Sequence, residues 1–345
     1  MLLFRGMSLF IGKHKIGFPY VLAPMAGITN APFRLLMRKL NASVVISELI
    51  SSTGLQYESS KTKELCFYFE EERPVGLQIF GENKDHLALA AATLEKKGVD
   101  FIDINLGCPV PKVVKKGGGS AWLKDPTSLF QMLSFVKKSI SIPLTIKIRT
   151  GWDSCSVNAL ECVQAASEAG VHWVSIHGRT KAQGYEGEAD WELISQVKEK
   201  SKIPILGNGD VLTAAQAIEK KKISQCDAIM IGRGALRNPF IFEEIAVLEG
   251  LKSQAYTFTY WDLILKHTEL LKKCSNDFFL GIQLRKFLTW YSAGIEGASQ
   301  FRKNLYSSNT STEMILDLAK EFFNKGGIKK QNSYLTEPFL RGGHG

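Results

Sequence analysis

Residues 101–109 read FIDINLGCP and residues 144–150 read LTIKIRT; each is a short apolar run that ends in a polar loop. Runs of this length, largely apolar and bounded by Gly or Pro, suit strands buried on both faces, as in a parallel sheet. Six more runs of the same kind lie at 20–23, 43–47, 75–80, 173–177, 203–207 and 228–231. Between most of them come amphipathic, helix-length segments at 84–97, 126–139, 158–169, 191–200 and 213–222. Asp125-Pro126 and the stretch from Asp210 to Thr213 supply helix starts. Eight β-then-α units, with no dinucleotide fingerprint after the first strand, predict an α/β fold of the (β/α)8 TIM-barrel type rather than an open doubly wound sheet.

After about residue 238 the strand signal stops, and helical patterns follow at 240–249, 259–275, 278–293, 298–305 and 311–325. The expected organisation is a barrel over residues 1–240, a small all-α C-terminal domain over 241–325, and a glycine-rich, flexible tail over 326–345. The chain of 345 residues is 45% hydrophobic and 22% charged, an ordinary globular composition. Its formal charge of +9 favours a polyanionic partner, and most of the excess lies within 1–240 rather than in a basic tail. The six cysteines form no C-x-x-C pair and no array with zinc spacing, so reduced thiols and no metal are expected. Arg5 and Gly6 interrupt the N-terminal MLLF, which does not read as a signal peptide, and no run approaches the roughly 18 apolar residues of a membrane span. A cytoplasmic monomer is expected.

In a TIM barrel, function collects where the strands end. Here those ends read APMAGIT (23–29), GLQIF (76–80), DINLGCP (103–109), HGRT (177–180), GNGD (207–210) and IGRGAL (231–236). Within 144–149, Ile146 and Ile148 point one way and Thr145, Lys147 and Arg149 the other. With the isoleucines packed outward, Lys147 enters the barrel mouth, where a lysine is costly unless it meets negative charge. The same parity turns Gln78, Asn105 and His177 inward. Each alone reads as a structural hydrogen-bonder; four converging on one mouth read as a ligand set.

The set suits a flavin. A cation such as Lys147 stabilises charge at the N1/O2 edge of the reduced ring, while Gln78 and Asn208 suit its amide edge. Gly207, Gly209, Gly232 and Gly234 flank the last two strands, where barrels bind phosphate through backbone N–H groups, and Arg233 adds a bidentate contact. Asp210 is expected to bond a ribityl chain or to cap the next helix. Cys108, set between Gly107 and Pro109, differs from Cys66, Cys162 and Cys226, which read as small buried hydrophobes. Lys112, Lys115 and Lys116 precede three glycines, a basic loop suited to a phosphate backbone.

These strings together resemble the tRNA-dihydrouridine synthases, above all the bacterial B-type branch. The similarity runs from about Val21 to Phe240 on APMAGIT, DINLGCPVPKVVKKGGGSA, HGRTKAQGYEGEADW, and NGD followed by IGRGALRNP. It continues more weakly over LRKFLTWY, 284–291. The resemblance implies bound FMN, NADPH as reductant, and reduction of the C5–C6 bond of uridine in tRNA. It matches Pro24, Met25, Ala26, Gln78, Lys147, Asn208, Gly209, Asp210, Gly232 and Arg233 to flavin ligands, His177 to a residue near flavin and substrate, and Cys108 to the catalytic thiol. Asn105, Arg149 and Arg179, with the three lysines of the basic loop, are the residues expected to meet tRNA. Gly118 and Trp122 depart from the family pattern, and Thr150 is a variable position. Two alternatives stand beside this reading. One is a dihydroorotate-dehydrogenase-like FMN barrel acting on a free pyrimidine, against which the basic charge and the helical domain speak. The other is a catalytically silent RNA-binding barrel, against which Cys108 and Lys147 speak.

Overall fold

The computed structural model describes residues 9–57, 59–253, 259–307 and 311–325. Strands β1 (Leu9–Ile11) and β2 (His14–Ile16) pair as an antiparallel hairpin. The next eight are β3 (Tyr20–Leu22), β4 (Val45–Ser51), β5 (Val75–Phe80), β6 (Phe101–Leu106), β7 (Leu144–Arg149), β8 (Trp173–His177), β9 (Ile205–Asn208) and β10 (Ala228–Ile231). They form one parallel sheet in which each strand lies beside its chain neighbours, and β10 returns to pair with β3. Leu22 N donates to Val44 O at 3.0 Å and Ser43 N to Tyr20 O at 3.0 Å, which joins β3 to the chain entering β4 and closes the barrel. The expected fold is the observed one. β4 starts later and runs further than the expected 43–47, because a register irregularity between Ile46 and Leu49 carries the chain on to Ser51.

The strands are buried on both faces. Outward-pointing Ile102, Ile104, Ile146, Ile148, Val174 and Ile176 join the helices in the larger core. Inward-pointing Val21, Ile46, Phe101, Trp173, Leu206 and Met230 form a second cluster with Leu9, Ile11 and Ile16 of the hairpin. The hairpin, which the sequence pattern did not reveal, thus stoppers the lower end of the barrel and leaves the upper end for polar side chains. Gly76 makes that packing possible: a Cβ there would lie 2.2 Å from Cε2 of Phe101, whose ring meets Trp173 edge-on at 5.5 Å.

Helix starts follow local chemistry. Asn30, Asn83, Asp125 and Asp190 each accept a backbone N–H in the first turn of the following helix, with Pro126 at the start of Pro126–Lys138. Thr213, not Asp210, caps Ala214–Ser224 through a capping box with Gln216. Past the barrel, helices Tyr260–Lys272, Asp277–Tyr291, Ala298–Leu305 and Thr312–Lys325 form the helical C-terminal region. Phe33, on the first barrel helix, stacks on Phe287 at 5.3 Å, and Phe287 meets His267 edge-on at 4.3 Å. The barrel and the helices therefore share one aromatic seam. The tail at 326–345 lies outside the described residues. No helix among the described residues is long and apolar enough to cross a membrane.

Candidate active site

Because β5 to β9 run in register, their inward side chains stack in tiers. Gln78 stands opposite Asp103, Asp103 opposite Thr145, Asn105 opposite Lys147, Arg149 opposite His177, and His177 opposite Asn208. Above the apolar stopper the barrel interior turns polar. A cavity of about 160 Å³ opens there, lined by Pro24, Met25, Ala26, Gln78, Asn105, Cys108, Lys147, Arg149, His177 and Arg233. An adjoining cavity of about 100 Å³ adds Asn208, Gly209, Asp210 and Gly232 and shares Lys147, His177 and Arg233. The loop 24–29 is held by Thr29, whose Oγ1 accepts Met25 N at 3.0 Å while its own N–H donates to Met25 O at 3.0 Å.

One side of the mouth is a chain of amides. Asp103 is fully buried and accepts from Thr145 Oγ1 at 2.6 Å and from Gln78 Nε2 at 2.7 Å. Burial pushes its carboxyl up to about 6, against the hydrogen bonds from Gln78 and Thr145 and the charge of Lys147. Gln78 Oε1 accepts from Asn105 Nδ2 at 2.9 Å, and Asn105 Oδ1 accepts the backbone N–H of Gly107 at 3.1 Å and of Cys108 at 2.9 Å. Arg149 ties down the same loop by donating from Nε to Gly107 O at 2.8 Å. Ser120 closes it from the far side, its N–H and Oγ both donating to Cys108 O. Cys108 is 8% exposed, and burial raises its thiol above the ordinary value. It stays protonated at neutral pH.

The opposite side is cationic. Lys147 Nζ donates to Asn208 Oδ1 at 2.9 Å, and Asn208 Nδ2 donates to Met230 O at 2.7 Å. Burial, with Arg149 nearby, pulls the Lys147 ammonium down to about 7, and Asp103 opposes the shift. His177 is held well below its usual value by burial and by four surrounding cations, so its ring is neutral. Tyr185, which the sequence reading did not single out, lines both cavities, with the guanidiniums of Arg149 and Arg233 over its ring at 5.6 and 4.9 Å. Its loop carries no periodicity, so only the tertiary structure places it here. Asp103, also not singled out, shares the inward parity of Asn105 on β6, and strand alternation is the signal that marks it.

Two expectations change. Arg179, expected to face tRNA, is 2% exposed and donates to both Asp210 oxygens at 2.9 and 2.7 Å and to Glu186 O at 3.1 Å. Its charge is spent on holding the 186–187 turn to the 208–210 loop. Asp210 accepts from Arg179, from Arg233 at 3.3 Å and from Ala189 N at 2.8 Å, so it anchors that loop rather than capping a helix. Of the glycines, Gly207 and Gly234 are required by packing: a Cβ would meet the Trp191 ring at 2.4 Å and Val211 O at 2.3 Å. Gly209 is required by its φ of +133°. At Gly232 a Cβ would find only ordinary contacts, at 3.5 Å or more. Lys112, Lys115 and Lys116 are exposed on the loop beyond Cys108. The unusual pair Gly118 and Trp122 meets at Gly81: Trp122 Nε1 donates to Gly81 O at 3.0 Å, and a Cβ on Gly118 would stand 3.2 Å from the same oxygen. Among the described residues no cluster of His, Cys, Asp or Glu could hold a metal ion.

A closed eight-strand barrel with a cationic, amide-lined mouth and a protonated thiol at its rim defines the class as a TIM-barrel oxidoreductase. The chain belongs to the dihydrouridine synthase family, whose sequence pattern it matches over residues 21–325. It is 35% identical over 328 residues to tRNA-dihydrouridine synthase B of Pseudomonas syringae pv. tomato, covering 93% of this chain and 97% of that one. It is 36% identical over 334 residues to tRNA-dihydrouridine synthase B of Pasteurella multocida, covering 94% and 99%. Among solved structures, 6-hydroxypseudooxynicotine amine oxidase from Pseudomonas geniculata N1 is similar with a TM-score of 0.56 at 13% identity. That match covers 71% of this chain and 49% of that one, and it concerns the barrel fold alone.

Proposed function

We propose that this chain is a B-type tRNA-dihydrouridine synthase that reduces the C5–C6 bond of uridine in tRNA, with FMN in the barrel mouth and NADPH as reductant. The observation that carries the reading is the placement of Cys108. A buried, protonated thiol lines the same cavity as Lys147, on a loop whose backbone Asn105 and Arg149 hold.

The residues fit an FMN. Lys147 takes part in no ion pair among the described residues, and its ammonium is the donor for the negative charge that develops at the N1/O2 edge. Pro24 and Met25, which line both cavities, with Ala26 of the larger one, supply the wall for the ring. Gly232, where a Cβ would meet nothing closer than 3.5 Å, leaves room with Gly209 for the phosphate, and Arg233 supplies a donor. When bound and reduced, FMN supplies the hydride for C6 of uracil. C5 then needs a proton, and the Cys108 thiol gives it as general acid. His177 is neutral and surrounded by cations, so it serves as a hydrogen-bond donor rather than as that acid. Lys112, Lys115 and Lys116, with the helical C-terminal region, grip the tRNA by phosphate and shape, and the target base leaves its stack to enter the cavity. The naming of the relatives favours tRNA over a free pyrimidine, and the enzyme acts as a cytoplasmic monomer.

Stopped-flow absorbance under anaerobic conditions separates the two half-reactions. Cys108→Ala is expected to hold FMN, to bleach with NADPH and to bind tRNA. Reoxidation of its flavin by tRNA slows by about 10²–10⁴-fold, the usual worth of a positioned general acid. Wild-type reoxidation in Cys108→Ala would refute the assignment.

A further inference from the structure

The amides of the mouth have an order that their own chemistry leaves open. Gln78 and Asn105 each carry an oxygen and an NH2 of nearly equal shape, and either could face either neighbour. Two things settle the matter. At one end stand the N–H groups of Gly107 and Cys108, which only an oxygen of Asn105 can meet. At the other end stands Asp103, which as a carboxylate only accepts. Between them the order is forced: Asn105 turns its NH2 to Gln78 Oε1, and Gln78 turns its NH2 to Asp103 Oδ2.

Resting on the reading of Cys108 as proton donor, we infer that Asp103 is a positioning residue for that thiol, acting through Gln78 and Asn105 to set the height and angle of the Cys108 loop. The carboxylate touches neither the loop nor the cavity. It sits a full tier below, at 0% exposure, on the strand that ends in the loop. Support for the Lys147 ammonium is one use of its charge, but its own hydrogen bonds to Thr145 and Gln78 do not require a carboxylate. The side chain is carboxylic where burial disfavours the charge, and Thr145 together with Gln78 could be satisfied by a neutral amide at lower electrostatic cost. What a neutral amide loses is the order. An amide at position 103 keeps Gln78 as it is only by turning its own NH2 on the Thr145 hydroxyl. That hydroxyl must then send its hydrogen to Ile102 O, at 3.4 Å, in place of Asp103 at 2.6 Å. The competing arrangement reverses Gln78 and sets its NH2 against Asn105, which can answer only by releasing the two loop N–H groups.

The same logic predicts a rescue. In the double variant Asp103→Asn with Asn105→Asp, the carboxylate moves to the loop end of the relay. It accepts from both backbone N–H groups on one oxygen and from a reversed Gln78 on the other. The amide introduced at position 103 then donates to Gln78 Oε1 and accepts from Thr145.

The test reads the loop directly, as the alkylation rate of Cys108 followed peptide by peptide, which separates it from the exposed Cys155 and Cys274. In Asp103→Asn the Cys108 rate is expected to rise at least about threefold, and tRNA-dependent flavin reoxidation to fall about tenfold, the scale of one charge-assisted hydrogen bond. Its melting temperature at pH 8 is expected to stay at or above wild type, since a buried charge has been removed. The double variant is expected to bring the Cys108 alkylation rate back to within about twofold of wild type, since every bond of the relay is again satisfied. Unchanged alkylation and reoxidation in Asp103→Asn overturn the inference. So does a lowered melting temperature with no recovery of Cys108 protection in the double variant, the mark of a merely structural residue. Absence of tRNA-dependent reoxidation in the wild type defeats the functional reading instead, while the alkylation comparison still judges the relay.

Discussion

Lys147 is an electrostatically strained cation of the mouth, because burial and Arg149 disfavour its charge and only Asp103 supports it. Without flavin its ammonium titrates near 7 instead of at its ordinary value of 10.5. Between those two values the unfolded chain holds a proton that the folded chain has released, so stability rises with pH across that window. Flavin-free wild type is expected to melt at higher temperature at pH 9 than at pH 7, and Lys147→Met to lose that increment. The same variant should bind the flavin more weakly if, as proposed, Lys147 is the cation beside the reduced ring. Equal pH slopes in the two proteins would count against Lys147 as the strained cation. The inward turn of Lys147, Gln78, Asn105 and His177 was legible from alternation alone, since strand parity is a property of the backbone. The burial of Arg179 was not: a guanidinium in HGRT looks the same whether it meets solvent or Asp210.

Among elements, β5 shows how one missing side chain shapes a barrel. Gly76 lets the Phe101 ring of β6 cross the interior to Trp173 of β8. Gly76→Ala forces that ring aside, and the expected cost is about 1–3 kcal/mol, typical of overpacking a filled core. Phe101→Leu in the same chain should return part of the loss, which denaturant unfolding would measure as coupling between the two positions. Simple additivity would place the strain elsewhere. The strands themselves were readable as eight apolar runs, yet the ends of β4 and β9 moved. Composition marks a buried run, but hydrogen bonding with a neighbouring strand decides where pairing stops, and in β4 a bulge extends it. The hairpin of β1 and β2 escaped notice because three-residue strands carry too little periodicity.

For the whole molecule, the aromatic seam of Phe33, His267 and Phe287 joins the barrel to the C-terminal helices. Binding to a polyanion through several phosphates releases counterions, and affinity for tRNA is expected to fall steeply with salt. Replacing Lys112, Lys115 and Lys116 together by Ala should flatten that dependence by about two to three units of log–log slope while flavin reduction by NADPH continues. An unchanged slope would move the tRNA surface away from this loop. The net charge of +9 signalled a polyanionic partner, and motif order along the chain signalled the barrel. Neither could say how the C-terminal helices sit on it.

The sequence by itself marked the eight barrel strands in their order, the end of the barrel at which polar residues gather, and Cys108 as a thiol at that end. These follow from local periodicity and from loop composition, which do not depend on distant partners. Only the tertiary structure decided which inward groups meet. Closing eight strands into a ring sets the register, which puts Asp103 opposite Gln78 and Asn105 opposite Lys147, while the loop after β8 lays Tyr185 against two arginines. Those contacts span dozens of residues of chain, and their energies depend on burial and on a fixed donor–acceptor order that exist only once the barrel has closed.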